Sequence, residues 1–173
     1  MNDYNATNVE TTKMNDYKAT NAEMTNMGEL IMYKESDLEK CTEIYIAAFT
    51  APPLEYDFLT PAKAERYLRD ITRTPGFIGW TYWQSGEMTA FCFGILDGYF
   101  DGSMFEVTEL AVVPQLHRNG TGSTVMRLLE IKLAGYGVGA VSLHTSRILP
   151  AFNFYLKNGY QELTENVTLM KQL

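Results

Sequence analysis

The 173 residues suffice for one domain with a sizeable buried core. Hydrophobic residues make up 46% and charged residues 20%, an ordinary globular balance, and the net charge of −7 argues against a nucleic-acid partner, which would need a basic face. Cys41 and Cys92 each lie in an apolar stretch and read as buried free thiols of a reducing, cytoplasmic compartment; no apolar run is long enough to span a membrane and no signal peptide is apparent.

The chain opens on a repeat, "MNDYNATNVETTK" followed by "MNDYKATNAEMTN". It is rich in Asn, Thr and Met, lacks helical or strand periodicity, and has too little apolar surface to offset its ordering entropy. Two copies are too few for a solenoid. Residues 1–28 therefore read as a flexible polar leader and 29–173 as a single domain. Within that domain "LIMYK" reads as a strand. Ser36 with Glu39 three residues on forms a capping box, and Leu38, Cys41, Tyr45 and Ala48 follow at helical spacing. The loop "TAPPLEYDF" comes next, then a helix opening at Thr60–Pro61. Three strands follow, "FIGWTYW", "TAFCFGIL" and "MFEVTELAVV", joined by "QSGE" and "DGYFDGS". Beyond a glycine-rich loop, Val125, Leu128, Leu129 and Leu133 mark the buried stripe of a helix that ends at "GYGVG". "AVSLHT" is strand-like, "PAFNFYLKN" is a short helix stopped by Gly159, and residues 160–171 form two last short strands around "TEN". The order β-α-α-β-β-β-α-β-α-β-β implies an α+β fold of three layers, α/β/α, with a mixed, largely antiparallel sheet.

The glycine loop "HRNGTGS" carries the chemistry. It lacks the lysine of a P-loop beside Gly122, and Val125 occupies the third-glycine position of a dinucleotide fingerprint. What remains is a strand ending at Pro114 and a helix starting near Gly120. That geometry presents free N–H groups and a helix dipole to an anion. Gly120 and Gly122 leave room, Thr121 and Ser123 add hydroxyls, and His117, Arg118 and Asn119 line the approach. Glycosylation of the Asn119-Gly-Thr121 triplet would block such a loop, which again favours a cytoplasmic chain.

The stretch "ELAVVPQLHRNGTGSTVMRLLE" resembles the acetyl-CoA-binding motif of the GNAT superfamily of N-acetyltransferases: an apolar strand, [Q/R]-x-x-G-x-[G/A], then an amphipathic helix. His117 stands where Gln or Arg is usual. "PAFNFYLKNGY" is similar to the family's second signature, with Ala151, Tyr155, Gly159 and Tyr160 on the pattern, while Ile148 replaces a frequent asparagine. The resemblance covers roughly residues 30–171. It implies an acetyl-CoA-dependent N-acetyltransferase without a metal. The pantetheine arm would run beside the backbone of Ala111, Val112 and Val113, and the diphosphate would lie on the loop from His117 to Ser123.

The same resemblance implies direct attack of a primary amine on the thioester in a ternary complex. A strand carboxylate, Glu109 with Glu106 as the alternative, would take the amine's proton. Because positions three apart face opposite ways in a regular strand, only one of the two should reach the cleft, unless a bulge intervenes. Tyr155 would return a proton to the departing thiolate, and a backbone N–H near Val112 or Val113 would hold the carbonyl oxygen. The acceptor site would be built by Glu55, Tyr56, Asp57 and Phe58, with Asp97, Tyr99, Phe100 and Asp101 nearby. Acids interleaved with aromatics suit a cationic amine, although Asp-Gly is also plain turn chemistry. Aromatic strands such as "FIGWTYW" could pair across a homodimer. A degenerate domain that binds acyl-CoA without transfer, or a domain whose glycine loop is only a helix start, are the competing readings.

Overall fold

Five strands and four α-helices build residues 28–98 and 104–172, the part of the chain described by a computed structural model. The leader up to residue 27, and Tyr99, Phe100 and Asp101 of the "DGYFDGS" connection, lie outside the described residues. β1 (Glu29–Met32), β2 (Phe77–Gln84), β3 (Glu87–Asp97), β4 (Met104–Val112) and β5 (Ala140–Leu143) follow one another across a single sheet. The pairs from β1 to β4 are antiparallel, and β4 pairs β5 in parallel. α1 (Leu38–Thr50) and α2 (Pro61–Thr72) cover one face; α3 (Thr121–Gly135) and α4 (Pro150–Lys157) cover the other. The three-layer mixed sheet anticipated from the element order is present.

Local chemistry explains the main joints. Between β2 and β3, Ser85 and Gly86 both have positive φ (53° and 81°), the conformation of a two-residue type I′ hairpin. α2 starts as expected: the Thr60 hydroxyl accepts from the Lys63 N–H at 3.3 Å, and Pro61 occupies the first helical position.

Two bulges shape the sheet. Tyr82 pairs Ala90 and Trp83 pairs Met88, so Thr89 is an extra residue on β3. Phe93 pairs Glu109 and Gly94 pairs Val107, so Thr108 is extra on β4. An extra residue resets the alternation of side chains beyond it.

The inward faces fill two cores. Phe91, Phe93 and Ala111 pack with Leu38, Cys41 and Ile44 of α1 and with Ala64 and Leu68 of α2. Trp80, Ala90, Cys92, Phe105 and Val107 pack with Val125, Met126, Leu129 and Leu133 of α3. Leu129 is wholly buried. Its replacement by alanine is expected to cost about 2–5 kcal/mol, read as a lower midpoint in urea with an unchanged slope.

Three local expectations are corrected. Ser36 is not the helix cap: it lies inside a 3-10 turn over Glu35–Asp37, whose start is held by the Asp37 carboxylate accepting the Lys34 N–H at 2.9 Å, and α1 follows from Asp37 with no side-chain cap bond of its own. Met126 is fully buried on α3, whereas Leu128 is only half-buried. Residues 160–172 form no strand. β5 offers only four residues for pairing, and Leu163, Val167, Leu169 and Met170 stay exposed, so no apolar burial supports a further pair.

Candidate active site

β4 outruns its neighbour. Its pairing with β5 ends at Val107–Leu143, while its pairing with β3 continues to Val112–Ala90. The segment from Thr108 to Val112 therefore has one open edge. The Val113 N–H donates to the Thr89 carbonyl at 2.9 Å, so Val113 faces β3. Backbone groups alternate along an antiparallel strand, which turns Ala111 toward β3 as well and leaves Leu110 and Val112 facing the gap. Of the expected trio Ala111, Val112 and Val113, only Val112 offers its backbone to the opening. Leu110, which sequence reasoning passed over, joins it.

His117 closes one side of the gap. Its Nε2–H donates to the Val112 carbonyl at 2.8 Å, which assigns the ring proton to Nε2 because a carbonyl can only accept. The chain then turns through Arg118 (φ 61°), Asn119 and Gly120 (φ 81°), all exposed. Gly120 is the helix N-cap and has no side chain to cap with. The first helical bond comes from the Thr124 N–H, so the amides of Thr121, Gly122 and Ser123 have no partner within the helix. A positive end with three uncapped donors is suited to an anion. Thr121 is buried, so of the two hydroxyls only that of Ser123 borders the adjoining cleft.

Gly122 is small for another reason. A Cβ there would lie 3.2 Å from the Phe154 ring on α4. The helix start and the second signature are thus in direct contact. Beside them a cleft of about 510 Å³ is lined by Ser123, Thr124, Arg127, Glu130, Lys157, Asn158 and Gly159. Arg127 and Lys157 bring two positive charges to it and Glu130 one negative. Tyr160, on the second signature, donates to the Glu130 carboxylate at 2.9 Å and ties the end of α4 to α3.

The Thr108 bulge decides the carboxylates. Glu109 is opposite Phe93 and Glu106 is opposite Ile95, so both lie on the α1/α2 face although they are three apart. Their surroundings differ. Glu106 is half-exposed and sits 3.5 Å from His144 Nε2. Glu109 is half-buried and accepts the Tyr67 hydroxyl at 2.6 Å, a contact across 42 residues. Burial pushes the Glu109 carboxyl up to about 7, while the Tyr67 bond favours its charged form and holds it back. A carboxyl poised there can accept a proton at neutral pH.

Tyr155 lies across the sheet, against the α3/α4 core with Leu110, Val112 and Leu143. Burial raises its phenol well above the usual tyrosine range, and nearby Cys92 and Glu109 raise it further. It stays protonated at any physiological pH. Its hydroxyl has no hydrogen-bond partner among the described residues, so it is free to donate.

Next to Glu109 runs a chain of rings. Tyr67 lies 5.7 Å from Tyr45, Tyr45 4.2 Å from Phe49, Phe49 5.9 Å from Tyr56, and Tyr56 stacks on Phe58 at 5.2 Å. The structure thus joins Tyr56 and Phe58 to the Glu109 side of the sheet. Glu55 and Asp57 are exposed on the same loop and make no ion pair among the described residues. Asp97 ends β3 at its exposed tip. No group of three metal-holding side chains occurs among the described residues, and none of the helices described is long and apolar enough to cross a membrane.

A family model described as "Acetyltransferase (GNAT) family" matches residues 38–160. No curated protein sequence matches the chain. Among solved structures, a possible acetyltransferase from Clostridium difficile superposes with a TM-score of 0.70 at 10% identity, covering 85% of this chain and 99% of that one. An aminoglycoside 6′-N-acetyltransferase from Acinetobacter haemolyticus gives 0.63 at 12% identity, over 84% and 99%. A Trypanosoma brucei acetyltransferase gives 0.58 at 22% identity, over 83% and 99%. The family match covers most of the chain and the fold agrees with it: this chain belongs to the GNAT acetyltransferase family.

Proposed function

We propose that the chain is an acetyl-CoA-dependent N-acetyltransferase acting on the primary amine of a small cationic acceptor in a ternary complex. The observation that carries this reading is the open edge of β4 beyond Val107, with Glu109 on one face of the sheet and Tyr155 on the other. Acetyl-CoA supplies the activated thioester. Leu110 and Val112 border its pantetheine arm, the free amides of Thr121, Gly122 and Ser123 hold its diphosphate, and Arg127 and Lys157 face its remaining phosphate. His117 braces the loop on the strand, and Arg118 and Asn119 stand at its rim.

Glu109 takes the proton of the acceptor's ammonium, which frees the nitrogen lone pair for attack on the acetyl carbonyl. With the Val113 N–H already given to Thr89, the amide of Val112 or Leu110 faces the carbonyl oxygen as it gains charge. As the C–S bond breaks, Tyr155 gives its proton to the departing sulfur. Glu106, held near His144 and more exposed, is not the base.

The ring chain from Tyr67 to Phe58, with Glu55 and Asp57 beside it, suits a cationic acceptor. Solved structures of similar fold described as aminoglycoside acetyltransferases support that class without narrowing it. We place the protein in a reducing compartment, since Cys41 and Cys92 are both free and buried. Neither nucleic acid nor membrane enters this reading, and a homodimer is compatible with it.

Calorimetric titration with acetyl-CoA, CoA and ATP is expected to show binding of the first two only. Release of CoA is then expected with one or more members of a panel of polyamines, aminoglycosides, amino acids and peptides. Acetyl-CoA binding with no CoA release on any amine would support an acyl-CoA-binding module instead. Absence of acetyl-CoA binding would remove the enzyme reading.

A further inference from the structure

The base assigned above is held by a residue on another element. We propose that Tyr67 is a positioning residue for Glu109: its hydroxyl, 2.6 Å from Oε1, engages one carboxylate oxygen and leaves Oε2 for the acceptor's ammonium. This inference rests on the assignment of Glu109 as base and adds the group that governs it.

The argument starts from what surrounds the carboxylate. Tyr45 of α1 and Tyr67 of α2 stand on its own face of the sheet, while Cys92 of β3 and Tyr155 of α4 act on it electrostatically from the opposite face. All four are raised above their ordinary ranges, chiefly by burial, and are neutral at pH 7. On its own strand, Glu106 shares its face and stands beside His144. No cation pairs with Glu109 among the described residues. Of these neighbours, Tyr67 alone donates a hydrogen bond to it.

A carboxylate in that setting has two problems. Its charge is poorly solvated, and nothing else fixes its orientation. One hydrogen bond from a neutral phenol answers both, because it stabilises the charged form and picks one rotamer. Tyr67 is suited to the task. Burial and the Glu109 charge both oppose its ionisation, so it remains a donor. It is 40% exposed, so its ring is not a core plug whose loss would unfold the domain. Its ring also contacts Tyr45, which links the hydroxyl to the aromatic wall described above.

The test is a carboxyl-carbon NMR titration of the full chain labelled at glutamate, with Glu109→Gln identifying the resonance. The wild-type carboxyl is expected to titrate near 7. Tyr67→Phe keeps the ring and removes the donor, and is expected to raise that midpoint by about one pH unit. Tyr45→Phe removes a hydroxyl that makes no bond to Glu109 and is expected to leave the midpoint in place. An unchanged midpoint in Tyr67→Phe, or an equal rise in Tyr45→Phe, would overturn the proposal. The titration is read on the free protein, so it is independent of acceptor identity. If the midpoint shifts as expected while the amine panel shows no transfer, the base assignment falls and Tyr67's hold on the carboxylate stands.

Discussion

Glu109→Gln is expected to lower kcat/KM for acetyl transfer by about two to four orders of magnitude, the usual contribution of a positioned base. In the proposed role Glu109 works only when charged. With its carboxyl near 7, kcat/KM should climb about tenfold per pH unit below that value and level off above it. The glutamine variant has no such group, so its residual rate should lack that acid limb. An acid limb that survives the substitution would assign the base elsewhere, with Glu106 the first candidate.

The same variant should be the more stable protein at alkaline pH. In the folded chain the carboxyl is raised above its ordinary value of 4.5, so the folded state binds the proton more tightly than the unfolded chain does. Stability therefore falls as pH rises from about 4.5 to about 7 and is flat beyond. Removing the charge relieves that cost, on the order of a few kcal/mol at pH 8 and nothing at pH 4. A rise in stability paired with a loss of rate would separate a functional carboxylate from a merely misplaced one.

Tyr155→Phe is expected to lower kcat by about two orders of magnitude and to leave KM for acetyl-CoA nearly unchanged. The phenyl ring keeps its contacts with Phe154 and Tyr160. The lost hydroxyl bonds to nothing among the described residues, so no group is stranded by its removal. A drop in melting temperature matching the loss of rate would point to packing instead. A kcat equal to the wild type at every pH would take Tyr155 out of the mechanism.

Features encoded over short distances are legible in the sequence. Thr60–Pro61 announces α2, and the "QSGE" turn announces the hairpin, because caps and turns are decided by two or three adjacent residues. The glycine loop was legible for the same reason. What escaped depends on distant partners. Glu106 and Glu109 are three apart, which in a regular strand means opposite faces; the Thr108 bulge, visible only in the pairing with β3, makes them neighbours. Tyr67 looks like one more aromatic near the apolar residues of α2, and only the fold brings it to a carboxylate 42 positions away. Val113 looks as available as Val112 until Thr89 claims its amide. The last two strands failed in the other direction: "VTLM" has the composition of a strand, but composition does not provide a neighbour to bury it.

The contact between Gly122 and Phe154 has a consequence for how this protein can change over generations. Each lies in a different signature, more than thirty residues apart in sequence, yet they share one small volume. A methyl group at 122 fits only if the ring at 154 yields a few tenths of an ångström. Anything bulkier would push on the helix that carries Tyr155. Related sequences should therefore trade volume between these two sites, a larger residue at one accompanied by a smaller residue at the other, so that the glycine loop and the helix carrying Tyr155 are inherited as a matched pair.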